Sequence, residues 1–297
     1  MARWPWMTLV FLLAGEAFAQ TPPKFEYAKP EAVKEVEWKA TAQAGLILTS
    51  GNSRSTALSA SADLSRKAGK DKFSLEGAGA YTRSDVLVAV DLDANGSIGP
   101  TEIERQDIQT AKNWLLKLRY DRFFTEHDSA YLAARLGADE LAGKQLAGGG
   151  QIGYSRLLYK SEMHELAAEV GYDFTYESYV ADADALAIHS ARLFLGYGAK
   201  LSEVTDVLLN VETLLNLNAE DTPTGEVGAF GDTRVISKAA LTTKLISRID
   251  LRIGATLRFD DSPAPRPPFA IPFDAGFVPL ADSIDLTAEA VLIVHVL

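Results

Sequence analysis

Apolar and polar residues alternate with a period of two through most of this sequence. In residues 164–177, for example, Leu166 and Val170 fall on one side, whereas Glu169 and Asp173 fall on the other. Successive side chains of a β-strand point to opposite faces, so the pattern predicts a strand with one apolar and one polar face. Such strands are predicted at residues 38–48, 56–66, 72–83, 110–123, 130–139, 148–159, 164–176, 188–201, 206–217, 235–246, 250–259 and 284–297.

The connections between the predicted strands alternate in length. Short links are expected at residues 67–71, 124–129, 160–163, 202–205 and 247–249. Longer links are expected at residues 84–109, 140–147, 177–187, 218–234 and 260–283, and the short outer link 49–55 is the exception. This layout predicts an all-β fold, an antiparallel transmembrane β-barrel of about 12 strands with short periplasmic turns and longer outer loops. Strands of this length can cross a bilayer at a tilt.

A soluble β-sandwich is the alternative fold, because its strands also alternate between apolar and polar residues. Strands in soluble proteins are usually about five or six residues long. The predicted strands here are about twice that length, so the barrel is favoured.

The polar face of the predicted strands carries charges of both signs. On this face lie Lys39, Asp63, Glu76, Lys117, Arg119, Asp121, Arg135, Glu169, Asp173, Arg192, Glu212, Lys244, Arg252, Arg258 and Glu289. Ion-pair networks inside the barrel are therefore expected. A barrel of about eight strands is filled by side chains, whereas one of about sixteen leaves a channel. Twelve strands fit either a structural or a transport role, and Gly171 on this face is expected to accept a small polar residue.

The start of the chain has the layout of a secretory signal. A positive charge at Arg3 precedes an apolar stretch at residues 6–14, and small residues stand at Ala17 and Ala19. This layout predicts cleavage after Ala19. A short membrane anchor or buried helix is the alternative. The expected organisation is a signal peptide at residues 1–19, a periplasmic leader at 20–37 and the barrel at 38–297.

Composition removes several classes of function. The absence of cysteine excludes a disulfide framework, a zinc ribbon and a cysteine nucleophile. A net charge of -11 argues against a sequence-independent nucleic-acid-binding protein. The acidic residues are concentrated in the long loops. On a barrel surrounded by outer-membrane lipid and lipopolysaccharide, such loops would need divalent cations to reduce the repulsion.

One loop contains a motif with specific chemistry. Asp91, Asp93, Asn95, Ser97 and Glu102 have the spacing of the EF-hand calcium loop, which they resemble without a mismatch. Calcium prefers about six to eight oxygen ligands, and these residues offer carboxylate, amide and backbone oxygens. The sequence therefore predicts a weak calcium site, and an Asx-Gly turn in a solvated loop is the alternative.

No catalytic residues are predicted. The four histidines fall at separate places: His127 and His164 at short turns, His189 at the outer rim and His295 inside the last strand. The chain lacks G-x-S-x-G and H-E-x-x-H motifs, so the expectation is a protein that is not an enzyme.

Several stretches resemble the YdiY-like, salt-induced outer-membrane proteins, a family of unknown function. The stretches that carry the resemblance are LTSGNS at residues 48–53, GGQIGYSRLL at 149–158, residues 166–177 and LRFDDSP at 257–263. The resemblance implies an outer-membrane location in a Gram-negative envelope and insertion by the barrel-assembly machinery. Barrels inserted in that way often end in an aromatic residue, whereas this chain ends in Leu297.

Three functional hypotheses follow. The first is a non-enzymatic outer-membrane barrel, structural or related to envelope stress, with a calcium-binding surface loop. The second is a narrow diffusion pore. The third is a soluble periplasmic calcium-binding β protein.

Overall fold

The computed structural model describes residues 36–49, 54–89, 103–181, 183–222, 225–265 and 280–295. All regular elements in these ranges are β-strands. None of the described residues form a helix that is long and apolar enough to span a membrane. The strands are β1 (Glu37–Thr49), β2 (Arg54–Ala68), β3 (Asp71–Ala89), β4 (Ile103–Phe123), β5 (Asp128–Asp139), β6 (Lys144–Lys160), β7 (His164–Tyr179), β8 (Leu186–Lys200), β9 (Thr205–Asn216), β10 (Glu220–Thr222), β11 (Gly225–Val227), β12 (Thr233–Ile246), β13 (Ile249–Asp260) and β14 (Ile284–His295).

Twelve of these strands form one closed antiparallel barrel, in the order β1-β14-β13-β12-β9-β8-β7-β6-β5-β4-β3-β2. Each barrel strand pairs with its neighbours in the chain, apart from the insertion of β10 and β11 between β9 and β12. The barrel closes where β1 pairs with β14, from Thr41↔His295 to Ala44↔Leu292. The small β10–β11 hairpin forms a separate sheet of two strands. The predicted fold class is therefore confirmed.

The connections differ between the two ends of the barrel. At one end, called the short-turn end, the links are residues 69–70, 124–127, 161–163, 201–204 and 247–248. The opposite end, called the long-loop end, includes residues 217–232 with the β10–β11 hairpin. The link predicted at residues 140–147 is wrong in length, because β6 begins at Lys144 and leaves a turn of residues 140–143. Backbone pairing also extends β3 and β4 into the predicted loop 84–109.

The two faces of each strand have opposite chemistry, as the alternation predicts. On β7, Val170 is 53% exposed on the outside, whereas Glu169 and Asp173 are 4% and 0% exposed on the inside. Leu132 and Ile152 are both 58% exposed on neighbouring strands. The apolar residues therefore surround the barrel, and many polar residues fill its interior, which reverses the arrangement of a soluble protein.

The predicted signal peptide and almost all of the predicted leader lie outside the described residues, as does Leu297. These boundaries stay predictions.

Candidate functional site

An ion-pair network joins strands β4, β7, β8 and β9 across the inside of the barrel. Arg119 Nη2 donates to Glu169 Oε1 at 2.7 Å, and Arg192 Nη1 donates to Glu169 Oε2 at 2.7 Å. Arg119 Nη2 also donates to Asp121 Oδ1 at 2.7 Å, and Arg192 Nε donates to Glu212. Each buried charge thus has an opposite charge in hydrogen-bonding geometry, which offsets the cost of removing it from water. This set of five residues is called the arginine network.

Tyr131 on β5 packs into the arginine network. The guanidinium carbons of Arg119 and Arg192 lie 4.3 and 5.5 Å from its ring centroid. Arg192 Nη1 also donates to the Tyr131 hydroxyl at 2.8 Å. The hydroxyl fits because Gly153 and Gly171 pair directly across β6 and β7. A Cβ atom at these glycines would lie 2.5 and 2.6 Å from the Tyr131 oxygen. The sequence predicts that Gly171 accepts a small polar residue more readily than Val170 accepts arginine, and the structure adds that any side chain at Gly171 would have to displace the Tyr131 hydroxyl.

A second polar cluster lies closer to the long-loop end. Asp173 accepts hydrogen bonds from Gln151 Nε2 at 2.7 Å and from Thr175 Oγ1 at 2.6 Å. Arg135 Nη2 lies 3.2 Å from Asp173 Oδ1. These residues continue the buried polar interior on the same side of the barrel.

A third cluster closes around Arg234 at the long-loop end. Lys144 Nζ and Arg234 Nη1 both donate to Glu177 Oε1 at 2.8 Å. Arg234 also lies 3.2 Å from an Asp232 oxygen and 3.4 Å from an Asp260 oxygen. These ion pairs join four strands and the adjoining loop at the long-loop end of the barrel, which is called the long-loop mouth.

The β10–β11 hairpin adds a buried acid next to this mouth. Glu220 is 4% exposed, and neither of its carboxylate oxygens has a hydrogen-bond partner among the described residues. Burial, with the charge of Asp232 adding to it, raises the pKa of Glu220 to about 7. Burial also raises the pKa of Asp232. Protonation of Glu220 therefore reduces the repulsion within this part of the loop.

A cavity of about 940 Å³ occupies the part of the barrel interior nearest the short-turn end. The turn at residues 160–165 lines its entrance, and Lys117 and Asn210 line its inner part. Charged groups of both signs line it, among them Lys39, Asp63, Lys72, Asp121, Arg252 and His295. A smaller space of about 50 Å³ adjoins it, since Gln43, Leu208 and Arg252 line both. The smaller space is lined mainly by small residues of β1, β2, β3, β12 and β13, and by Lys238.

The predicted calcium ligands Asp91, Asp93, Asn95, Ser97 and Glu102 lie outside the described residues. Within the described part of the chain, no group of three or more His, Asp or Glu side chains could hold a metal ion. The structure therefore leaves the calcium site as a prediction from sequence.

The four histidines lie on different elements of the barrel, and two of them, His164 and His295, line the same cavity. His164 Nδ1 is 2.8 Å from the Tyr197 hydroxyl, and His189 Nδ1 bonds to the Tyr172 hydroxyl. His295 lines the cavity and pairs with Asp250 at 2.8 Å.

The sequence predicts that all five residues of the arginine network point inward, but it does not predict which of them bind each other. Lys238 and Arg234 were not predicted as inward residues. Both are an even number of residues from Lys244, so the alternation along the strand predicted at 235–246, continued by one residue to Arg234, would have placed both side chains inside.

Comparison with known proteins matches this chain to one family and to several solved structures of low sequence identity. Residues 42–268 match the family described as "Protein of unknown function, DUF481". No curated protein matches this sequence.

Solved outer-membrane proteins share the general shape at low similarity. The NanC porin is 6% identical with a TM-score of 0.45, over 87% of this chain and 100% of that one. The outer-membrane channel DcaP of Acinetobacter baumannii is 9% identical with a TM-score of 0.37, over 88% of this chain and 97% of that one. OmpT, an outer-membrane protein of Vibrio cholerae, is 10% identical with a TM-score of 0.36, over 89% and 99%. At these scores, the fold assignment rests on the closed strand pairing.

Proposed function

The chain belongs to the DUF481 family, and we propose that this member is a non-enzymatic outer-membrane β-barrel that gives small solutes a narrow polar path. The observation that carries the proposal is the cavity of about 940 Å³ inside a closed barrel with an apolar exterior. A cavity of this size is large enough for a small solute together with water.

The exterior supports a location within a bilayer. Exposed apolar side chains surround the barrel, and exposed aromatic side chains are among them near both ends. Trp38 and Tyr159 are 49% and 55% exposed near the short-turn end, and Tyr176 is 44% exposed towards the long-loop end. Aromatic girdles of this kind are typical of barrels in the outer membrane, where short turns face the periplasm. The predicted signal peptide agrees with export.

The interior supports a path rather than a completely filled core. The large cavity and the smaller space share lining residues on the wall formed by β1, β9 and β13. Together they extend from the short-turn end past the middle of the barrel. Polar and charged linings favour hydrated solutes over apolar ones.

A planar bilayer experiment tests the path. The mature protein is refolded, its barrel is verified by heat-modifiable migration, and single-channel currents are recorded. We expect small, discrete conductance steps. Folded protein that inserts into vesicles but produces no current would contradict the pore.

A closed structural barrel related to envelope stress is the second candidate. The arginine network favours it, because five charged side chains with several hydrogen bonds fill one side of the interior. The resemblance to YdiY-like, salt-induced proteins adds support for a stress role. This candidate requires a barrel that is folded and does not conduct, so the same recording separates the two.

The calcium loop is a separate part of the proposal. Its support is the spacing of the motif residues, in which the carboxylates of Asp91, Asp93 and Glu102 would repel one another without a cation. Calorimetry on the purified barrel should give a dissociation constant of about 10⁻⁴ to 10⁻³ M. Glu102→Gln should weaken binding severely, and Ser97→Ala should not, because Ser97 would coordinate through its backbone carbonyl. Equal heats for wild type and Glu102→Gln would contradict the site.

A further inference from the structure

Lys238 lies in the barrel interior, and its side-chain nitrogen lacks a hydrogen-bond partner among the described residues. It lies on β12 and lines the smaller space, next to Thr256 and Gly254 of β13. The nitrogen atom is buried, and it has no hydrogen-bond partner among the described residues. A buried ammonium offers three donors, and leaving them unsatisfied is costly, so such a group indicates a missing water, ion or ligand.

The carboxylates around Lys238 also act on other cations. Glu76, Glu212, Lys117 and Arg258 are the charged residues whose fields act on it. Glu212 accepts a hydrogen bond from Arg192. The fields of Glu76 and Glu212 also act on Lys117, which lines the large cavity. Two lysines therefore share the same carboxylates, one of which is already bound by an arginine.

Glu289 also lines the smaller space, and its charge is opposed by Arg252, which lines both spaces. Lys117 lines the large cavity, Lys238 lines the smaller space, and Arg252 lines both. An anion that enters these connected spaces can replace the missing partner of Lys238. A cation in the same spaces would be repelled by these three positive groups.

We propose that Lys238 is an anion-binding group in the solute path and makes the path selective for small solutes that carry a carboxylate or phosphate. The proposal rests on the proposed pore, and it adds the class of solute and the residue that selects it. Desolvated, preformed positive charge attracts anions more strongly than the same charge in water.

A single engineered cysteine tests Lys238 whether or not the barrel conducts. The natural sequence has no cysteine, so Thr256→Cys provides a unique thiol. Thr256 pairs directly with Lys238, which places the two Cβ atoms about 4.5 to 5.5 Å apart. The readout is the ratio of modification rates for an anionic and a cationic methanethiosulfonate reagent of similar size. The anionic reagent should react faster.

Lys238→Gln in the Thr256→Cys background should lower that ratio by about tenfold. Lys238→Arg should keep the ratio high, because it retains the charge. Lys244→Gln is the matched control, since Lys244 lies on the same strand and face but six residues away at the short-turn end. That separation is about 20 Å, beyond the screening length at physiological salt, so the ratio should not change.

Two results of the thiol experiment would overturn the proposal: a faster reaction with the cationic reagent in the Thr256→Cys protein, or a ratio unchanged by Lys238→Gln. The first needs no substitution of Lys238, so it holds even if that variant does not fold. In planar bilayers, the reversal potential in a KCl gradient should have the sign of an anion-selective path. A conducting but cation-selective barrel would reject this inference and keep the pore. An absence of current with a high rate ratio would reject the pore and the selectivity, and would keep Lys238 as an anion-binding group inside a closed barrel.

Discussion

The two walls of the barrel interior differ in how their inward side chains are packed. On strands β5 to β8 most inward residues are buried, including Gln151, Asp173 and Arg192. On β1 to β3 and β12 to β13 most inward residues are only half-buried, including Ser61 and Thr256. Long charged side chains fill the first wall, and small residues line much of the second. The smaller space therefore lies on the side of the small residues, whereas residues of both walls line the large cavity near the short-turn end.

This difference shows how a barrel of intermediate width can be both rigid and open. Buried arginines need carboxylates in fixed positions, so the first wall is locked by its own ion pairs. Small side chains on the second wall leave space that the side chains of the first wall do not fill. The strands whose ion pairs stabilise the barrel are therefore different from the strands whose small residues border the space.

The largest expected effect tests the locked wall. Glu169→Gln removes the carboxylate charge that Arg119 and Arg192 share, so that the two buried arginines keep only one carboxylate each, Asp121 and Glu212. We expect a loss of about 3 to 5 kcal/mol in the free energy of unfolding, measured by urea titration in lipid vesicles. Ser61→Ala on the open wall is the matched control and should change it by less than about 0.5 kcal/mol. Equal losses would mean that the walls do not differ.

A second prediction compares the outer and inner faces of β7. Val170→Arg places a charge on the lipid face near the middle of the strand and should cost about 2 to 4 kcal/mol. Val170→Leu should be nearly neutral, because it keeps the face apolar. The same urea titration gives both values. Wild-type stability for Val170→Arg would reject the assignment of this face to lipid.

A third prediction concerns space within the locked wall. Gly171→Ala should cost about 1 to 3 kcal/mol, because the new methyl group would lie 2.6 Å from both the Tyr131 oxygen and the Ile152 carbonyl oxygen. Gly198→Ala is the control, since its methyl group would meet only Leu208, at 3.8 Å. If both substitutions cost the same, close packing around Tyr131 is not what requires glycine.

The smallest effect on the whole barrel is expected in the β10–β11 loop. The pKa of Glu220 is raised to about 7, so its neutral form is favoured in the folded loop. The stabilisation is greatest below its ordinary pKa, about 4.3, and is lost as the pH rises through about 7. Amide exchange in residues 217–232, corrected for its intrinsic pH dependence, should therefore show stronger protection at pH 5 than at pH 8.

Glu220→Gln should remove most of this pH dependence, because glutamine cannot ionise. If Glu220→Gln keeps the full pH dependence of amide protection, another group causes it, and Asp232 is the next residue to substitute.

The fold was largely predictable because alternation repeats along every strand. A shift of one residue would turn Val170 inward and Glu169 into lipid, so the pattern alone determines each strand's register relative to the membrane. The end of a hairpin is less constrained. Backbone pairing can continue past the apolar segment, which is why β3 and β4 extend further than predicted and why β6 begins early at Lys144.

The candidate site was predictable only as a set of inward charges. Parity along the strands placed Arg119, Glu169 and Arg192 inside, but their pairing depends on the stagger of strands in the closed barrel. Arg119 and Glu169 are 50 residues apart in the chain, and no local pattern joins them.

The sequence by itself determined which face of each strand meets lipid and which meets the interior, because side-chain direction has a strict period of two. The tertiary structure decided which inward charges bind each other and which line the cavity. The pairing of neighbouring strands brings Tyr131 against two glycines and places Lys238 beside Thr256. The contact between Arg119 on β4 and Glu169 on β7 instead crosses the interior, and that distance exists only when the sheet curves into a barrel.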